Sequence, residues 1–312
     1  MAANESPDLL RDEIAILRRE RRAVLLVHNY QRPEVQDLAD FLGDSLGLAQ
    51  EAAQTDAEVI VLCGVEFMAE TAKLLNPGKK VLLPVKEAGC PMAEMIDPGD
   101  LRARRREYPD AVVVSYVNTT AATKAVSDIC CTSANAVKVV DSIPRNRDII
   151  FTPDRNLAAY VQRVTGRRLI IWPGCCPTHA GITADMVLTA KREHPEAEVV
   201  VHPECNPEVI DLADAVKSTS GMLAYCSSAN AQEFIIGTEE GMLYPLGRKC
   251  PGKRFWPIAR GVVCPNMKLT TAVAVRDALR DMKNEIDVAP DIAAPARRAI
   301  DKMLDVGRDG VS

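Results

Sequence analysis

Short apolar runs alternate with longer amphipathic stretches along the whole chain. Residues 24–27 and 112–115 have the length and composition of buried strands, whereas residues 66–75 and 184–193 repeat apolar positions at helical spacing. Near-continuous apolar strands separated by helices are typical of parallel sheets that helices cover on both faces. The pattern therefore predicts an α/β fold.

The same periodicity assigns elements to most of the chain. Further strands are predicted at residues 58–62, 81–83, 148–151, 169–172, 199–201, 233–236 and 255–258, and further helices at 8–20, 45–54, 100–107 and 156–164. Another helix is predicted to begin at Pro33 and end at Gly43, with apolar residues at positions 35, 38, 39 and 42. Equivalent helices are predicted to extend to Asp128 and from Val209 to Val216.

A Cys-Pro step follows an apolar run three times, at Cys90, Cys176 and Cys264. The cysteines are 86 and 88 residues apart, and a basic pair precedes each apolar run. These pairs are residues 79–80, 167–168 and 253–254. Such a period indicates one structural unit used three times. A fourth step, at Cys250, lies outside the register and is interpreted as a loop cysteine.

Polar residues recur in the same register. The matched sets are His28, Tyr116 and His202; Tyr30, Asn118 and Glu204; Ser45, Ser133 and Thr219; and Asp40, Asp128 and Asp214. In open parallel sheets, functional groups collect beyond the carboxyl ends of the strands. We therefore expect three αβα domains around a pseudo-threefold axis, with the active site at the centre. Their predicted bounds are residues 1–92, 93–179 and 180–312, the last with additional C-terminal helices.

Composition and charge exclude several classes of protein. The 312 residues are 47% hydrophobic and carry a formal net charge of −5, which argues against a nucleic-acid or anionic-membrane surface. No apolar run reaches the roughly 20 residues of a membrane helix, and residues 1–12 do not have the apolar core of a signal peptide. We expect a cytoplasmic protein.

The ten cysteines do not suggest a disulfide framework, because cytosolic thiols stay reduced. Three thiolates meeting at one point suit a [4Fe–4S] cluster whose fourth iron has no cysteine and stays open to substrate as a Lewis acid. Two alternatives remain open. The cysteines can be ordinary core residues, or Cys176 and His179, which have the spacing of a zinc site, can hold a structural metal. Cys175 is a rival to Cys176 that breaks the register.

The matched hydroxyl and acid–base residues also allow two interpretations. The three hydroxyl residues have the chemistry of helix caps, and three helix N-termini facing one cavity would bind phosphate or carboxylates through backbone N–H groups. His28, Tyr30, His202 and Glu204 are acid–base candidates if they cluster, and polar core residues if they do not.

A series of short motifs runs through these positions. They are His-Asn-Tyr-Gln at 28–31, Gly-Asp-Ser at 43–45, Phe-Met-Ala-Glu at 67–70, Cys-Pro-Met at 90–92, Tyr-Val-Asn at 116–118, Cys-Thr-Ser-Ala-Asn at 131–135, Pro-Asp-Arg-Asn-Leu at 153–157, Cys-Pro-Thr-His at 176–179, His-Pro-Glu-Cys at 202–205 and Cys-Pro-Asn-Met-Lys at 264–268. Together they resemble the quinolinate synthase (NadA) family over roughly residues 24–271. Some members carry a Cys-x2-Cys-x2-Cys segment near the last motif, where this chain has only Cys264.

The resemblance implies condensation of iminoaspartate with dihydroxyacetone phosphate to quinolinate, phosphate and water in de novo NAD biosynthesis. It implies a [4Fe–4S] cluster held by Cys90, Cys176 and Cys264, with Tyr30 as an acid–base candidate. We predict Glu204, Tyr30 and His202 as the catalytic residues. The implied substrate-binding residues are His28, Ser45, Tyr116, Asn118, Ser133, His202, Glu204 and Thr219. An aspartate oxidase or aspartate dehydrogenase would supply the imine. The alternative function is a zinc-stapled anion-binding protein.

Overall fold

Three four-stranded parallel sheets form the framework of the computed structural model, which describes residues 6–307. The strands are β1 (Ala23–His28), β2 (Phe41–Gly43), β3 (Val59–Cys63), β4 (Lys80–Leu82), β5 (Val112–Tyr116), β6 (Ile129–Cys131), β7 (Ile149–Thr152), β8 (Ile170–Ile171), β9 (Glu198–Val201), β10 (Ala215–Val216), β11 (Glu233–Gly237) and β12 (Arg254–Pro257). The strand orders are β2-β1-β3-β4, β6-β5-β7-β8 and β10-β9-β11-β12. One order used three times confirms the predicted α/β fold with three repeats.

Helices connect the strands. They are α1 (Pro7–Glu20), α2 (Pro33–Gln36), α3 (Ser45–Gln54), α4 (Glu66–Leu75), α5 (Pro98–Glu107), α6 (Ala121–Ala125), α7 (Ala136–Asp141), α8 (Arg155–Thr165), α9 (Pro177–Ala180), α10 (Ala184–Glu193), α11 (Pro207–Ile210), α12 (Thr219–Ser228), α13 (Leu243–Lys249), α14 (Ala272–Asp281) and α15 (Pro290–Val306). Among the described residues, no helix combines the length and apolar character that a membrane crossing needs.

The chain forms two compact units. The first comprises the chain up to Cys90 together with Pro265–Ala289, and it contains the sheet of β1 to β4. Helices α1 and α14 pack against each other and contribute to the core of that sheet. The second unit comprises Pro91–Cys264 and the chain from Pro290, and it contains the other two sheets.

The long helix predicted after the first strand of each repeat is wrong. The structure has a short helix followed by an edge strand there: α2 then β2, α6 then β6, and α11 then β10. In the first repeat, the apolar residues at positions 35, 38, 39 and 42 do face one core, but position 35 is on the helix, position 42 is on the strand, and positions 38 and 39 lie between them. A strand of two or three residues is too short to show its own periodicity, so the burial pattern alone suggested a continuous helix.

The matched aspartates join each edge strand to its central strand. Asp40, Asp128 and Asp214 each accept a hydrogen bond from a backbone N–H of the central strand, at 2.9, 2.9 and 2.7 Å. Each also donates its own backbone N–H to the carbonyl of that same residue. The helix before each central strand, α1, α5 or α10, adds a cation that pairs with the aspartate. These cations are Arg18, Arg105 and Lys191, at 2.5, 2.8 and 3.1 Å respectively. These aspartates therefore have a structural role.

The basic pairs have a structural role as well. The first member of each pair donates to backbone carbonyls at the end of a helix: Lys79 to Thr55 after α3, Arg167 to Val140 and Ile143 at the end of α7, and Lys253 to Cys226 and Ala229 at the end of α12. The last carbonyls of a helix have no partner within it and favour a cation. The first residue of each pair therefore caps the corresponding helix in each repeat.

Candidate active site

Glu204 is the centre of a buried polar cluster in the second unit. It follows β9, and only 3% of its surface is exposed. The Tyr116 hydroxyl, from the end of β5, donates to Oε1 at 2.5 Å. The Nδ1 atom of His179 lies 2.8 Å from Oε2, and Nδ1 of His202 lies 3.9 Å from Oε1. The carboxylate therefore connects a phenol with an imidazole inside the protein.

The surroundings of Glu204 keep it ionised. Burial by itself would raise the pKa of this carboxyl, but the positive charges that His179 and His202 carry when protonated act in the opposite direction. Hydrogen bonds from His179 and Tyr116 add to that effect, and the net result is a pKa below the usual range. A buried charge that is hydrogen-bonded on both oxygens can take part in proton transfer between its neighbours.

His179 links this cluster to an in-register cysteine. It lies on α9, the short helix that begins directly after Cys176, and its Nδ1 is 3.2 Å from the Cys176 sulfur. Its Nε2 is 2.8 Å from the Thr238 hydroxyl, and its ring stacks on His202 with centroids 4.6 Å apart. The Cys-x-x-His spacing predicted His179 only as a zinc ligand. Its contact with Glu204 was not predicted.

The cluster contains enough donors for a metal. Ligand atoms of Cys176, His179 and Glu204 all lie within 4.8 Å of one another. Thiolate, imidazole and carboxylate are all zinc ligands, so the geometry by itself is compatible with the zinc hypothesis as well as with a cysteine-bound cluster.

Asp154 holds the loop that carries Cys176. Its Oδ2 accepts the Cys176 N–H at 3.0 Å, and its Oδ1 accepts the N–H groups of Asn156 and Leu157 at the start of α8. Burial and the nearby charge of Glu204 raise the pKa of Asp154 to about 7, while the N–H donors oppose the rise. The loop passes close to the backbone next to Asp154, because a Cβ at Gly174 would lie only 2.7 Å from the Pro153 carbonyl oxygen.

The in-register cysteines differ from most of the others in exposure. Cys90, Cys176 and Cys264 are half-buried, as is Cys175, whereas the remaining six are buried: Cys63, Cys130, Cys131, Cys205, Cys226 and Cys250. Burial raises the pKa of the Cys63 and Cys130 thiols to about 12. Thiols of that kind are unreactive packing residues.

The first unit carries its own group of predicted site residues. The Tyr30 N–H donates to Nδ1 of His28 at 3.1 Å, and the two rings meet edge to face with centroids 4.7 Å apart. Lys268 donates from Nζ to the Tyr30 carbonyl at 2.5 Å, which joins two of the sequence motifs. Gln31 is fully buried, and its Oε1 accepts no hydrogen bond from any described residue. Such an acceptor is suited to a ligand.

The capping interpretation of the hydroxyl residues was wrong. The caps of α3 and α12 are Asp44 and Ser218, whose side chains accept from N–H groups of the first turn. Ser45 and Thr219 are the first residues of those helices, and Ser133 lies in the turn before α7. Their hydroxyls are therefore not needed as N-caps.

Asn118 lies beyond β5 and is half-buried. Its Oδ1 is buried and, within residues 6–307, accepts no hydrogen bond. It shares this property with Gln31, and both residues follow the first strand of a repeat. The amide oxygen is available to a ligand at the carboxyl end of the sheet.

Comparisons with known proteins agree with the resemblance carried by the motifs. The family described as quinolinate synthetase A protein (NadA) matches residues 12–305. A quinolinate synthase of Desulforudis audaxviator is 57% identical over 95% of this chain and 98% of its own length, and one of Methanoregula boonei is 55% identical over 95% and 98%. A third, of Geobacter metallireducens, is 53% identical over 97% of this chain and 99% of its own length.

These matches bear on the choice between the two functions. They cover almost the whole chain at more than half identity, and all three relatives carry the name of a synthase. They therefore favour the enzyme over the zinc-stapled binding protein. The chain belongs to the quinolinate synthetase A protein (NadA) family.

Proposed function

We propose that this enzyme of NAD biosynthesis condenses iminoaspartate with dihydroxyacetone phosphate, releasing quinolinate, phosphate and water. The observation that carries the proposal is the buried chain of Tyr116, Glu204 and His179, which ends 3.2 Å from the Cys176 sulfur. Condensation with loss of water and phosphate requires protons to be removed from carbon and delivered to leaving oxygens. A carboxylate between a phenol and an imidazole can relay them.

We propose Cys90, Cys176 and Cys264 as the ligands of a [4Fe–4S] cluster. The residues fit the group, because all three thiols are half-buried, and carboxylates bind the N–H groups of Cys176 and Cys264. A set of three thiols leaves one iron without a protein ligand. When bound, the cluster would supply a Lewis acid that polarises a substrate oxygen.

The remaining predicted residues bind and orient the substrates. The orphan amide oxygen of Asn118 and the side chains of His28 and Tyr30 offer hydrogen-bonding groups at the ends of their strands. Ser45, Ser133 and Thr219 offer hydroxyls that do not serve as helix caps, and the first turns of α3 and α12 offer backbone N–H groups to phosphate or carboxylate. His202, stacked on His179, is a second imidazole for proton transfer.

Anaerobic purification tests the cofactor. We expect a brown protein with about four irons per chain, as a cuboidal cluster requires. Serine in place of Cys90, Cys176 or Cys264 should remove iron and quinolinate formation together, while the matched Cys175→Ser control should keep both. A colourless wild-type protein containing zinc would contradict the proposal, and bleaching by Cys175→Ser alone would show that the register around Pro177 is wrong.

The imine substrate implies a supplying enzyme. An imine hydrolyses in water and is therefore short-lived, so we propose that an aspartate oxidase or aspartate dehydrogenase in the same cytoplasmic compartment produces iminoaspartate. Quinolinate formation from aspartate should then require either enzyme in a coupled assay, and formation from aspartate without either would contradict this part of the proposal.

A further inference from the structure

The loop before each in-register cysteine is fixed by the same backbone hydrogen bond. The bonds run from the N–H groups of Glu66, Arg155 and Glu240 to the carbonyl oxygens of Ala88, Gly174 and Val262, at 2.8, 2.8 and 2.9 Å. Each carbonyl lies two residues before its cysteine, and each N–H belongs to the helical turn that follows the third strand of a repeat. The three repeats can therefore be compared residue by residue at this point.

The residue before each of these N–H groups is not the same in the three repeats. It is Asp154 in the second and Glu239 in the third, and both are fully buried. Glu239 Oε1 accepts the Cys264 N–H at 3.3 Å, as Asp154 Oδ2 accepts the Cys176 N–H at 3.0 Å. In the first repeat the position is Val65, whose side chain has no acceptor.

Helix capping alone does not account for both oxygens of these carboxylates. Asp154 caps α8 with Oδ1, and Glu239 accepts the Gly241 N–H with Oε2 at 2.8 Å. In each residue the other oxygen accepts from the cysteine. Elsewhere in the chain, Thr120 and Thr183 cap helices with a single hydroxyl, which avoids the cost of burying a charge.

We propose that Asp154 and Glu239 are positioning residues that orient the Cys176 and Cys264 thiolates by holding their backbone N–H groups. The proposal rests on the proposed cluster ligands. A fixed N–H restricts the peptide plane next to the cysteine and hence the direction of its Cα–Cβ bond. Each carboxylate, once ionised, also places negative charge near a cluster ligand, and net charge is one of the factors that set the reduction potential of a cluster.

Asp154→Asn and Glu239→Gln test the proposal. An amide keeps one acceptor oxygen and replaces the other with a donor, so it cannot accept from both the helix and the cysteine. Asp97→Asn is the matched control, because Asp97 caps α5 by accepting the Gly99 N–H and contacts no cysteine among the hydrogen bonds of the described residues. All variants are reconstituted anaerobically, and folding is checked by circular dichroism and thermal unfolding.

Both test variants should lose iron to a chelator about 10- to 100-fold faster than wild type, which is the usual effect of removing the partner of a metal ligand. Redox titration is done at about pH 9, where a carboxyl with a pKa of about 7 is ionised, and is followed by electron paramagnetic resonance. It should show a raised midpoint potential, because a negative charge has been removed. Asp97→Asn should match wild type in both measurements. A role confined to the fold would not change the potential.

The outcomes distinguish this inference from the proposed function. A wild-type protein without a cluster would overturn the cluster ligands and this inference together. Wild-type iron loss and potential in Asp154→Asn and Glu239→Gln would overturn this inference alone. If neither variant folded without iron, the two carboxylates would belong to the fold, and the positioning role would be rejected.

Discussion

The amino-terminal and carboxyl-terminal edges of the sheets differ in how much chemistry the three repeats share. At the amino-terminal edge, an aspartate before the edge strand makes the same bonds three times. A basic residue before the last strand donates to backbone carbonyls at or just after the end of the corresponding helix in all three repeats. At the carboxyl-terminal edge the three in-register cysteines are repeated, but other matched positions hold different groups: Tyr30, Asn118 and Glu204, or Val65, Asp154 and Glu239.

The difference separates two kinds of requirement. Every sheet needs its edge strand joined and its helix capped, so the residues that do this are alike in all repeats. A reaction needs one acid, one base and one binding group at each atom of the substrate, so its acid–base residues diverge. At the amino-terminal edge repetition therefore marks the fold, whereas the proposed site combines repeated groups, the three cysteines and the three hydroxyls, with groups that differ between repeats.

The largest effect is expected from Glu204→Gln at the carboxyl-terminal edge. The amide keeps the shape but cannot take up a proton, so turnover should fall about 10²- to 10⁴-fold with quinolinate affinity and iron content retained. The control is Glu198→Gln at the start of β9, the strand that Glu204 follows. The Glu198 carboxylate also accepts from a tyrosine, Tyr225, at 2.7 Å. Equal turnover in the two variants would contradict the distinction between the edges.

The reactivity of the thiols provides the next contrast. With a pKa raised to about 12 by burial, Cys63 and Cys130 have very little thiolate at pH 8, and alkylation should be roughly 10³-fold slower than for an ordinary thiol. In the iron-free protein, iodoacetamide should modify the half-buried Cys176, detected by peptide mass spectrometry. Bound cluster should protect Cys176 but not Cys175. Modification of Cys63 before Cys176 would contradict this prediction.

Arg167→Met should weaken the fold without changing the chemistry. Arg167 is 6% exposed and donates to four carbonyls, which would lose their partner, so the free energy of unfolding should fall by about 2–4 kcal/mol. The neighbouring Arg168 is exposed, and Arg168→Met should stay within about 0.5 kcal/mol of wild type in denaturant unfolding. Turnover per folded molecule should be unchanged in both. A lower turnover in Arg167→Met would place it in the site.

The smallest effect is expected from Thr238→Val. It removes the hydroxyl 2.8 Å from Nε2 of His179 and with it one restraint on the ring, so turnover should fall about two- to tenfold, the value of one neutral hydrogen bond. Thr189→Val on the exposed side of α10 is the control. An unchanged rate would show that the Thr238 hydroxyl does not restrain the His179 ring.

Much of the fold could be predicted because it depends on local patterns. The helices Glu66–Leu75 and Ala184–Glu193 have the predicted bounds, since each is long enough for its apolar residues to recur at helical spacing. The edge strands β2, β6 and β10 could not be predicted, since two or three residues show no periodicity and take their structure from pairing with a neighbour. The caps of α3 and α12 lie one residue before the predicted hydroxyls at 45 and 219. Asp44 and Ser218 are also residue types that cap helices, so residue type alone does not fix which of two neighbours is the cap.

The sequence by itself determined the repeat, the family resemblance and which residue types stand at the strand ends, because these are properties of residue order and spacing. Only the tertiary structure decided that His179 contacts Glu204 and that Asp154 and Glu239 bind cysteine N–H groups. His179 and Glu204 are 25 residues apart in the sequence and lie on different elements. Hydrogen bonds form between groups within about 3 Å in space, and that distance is set by how the elements pack.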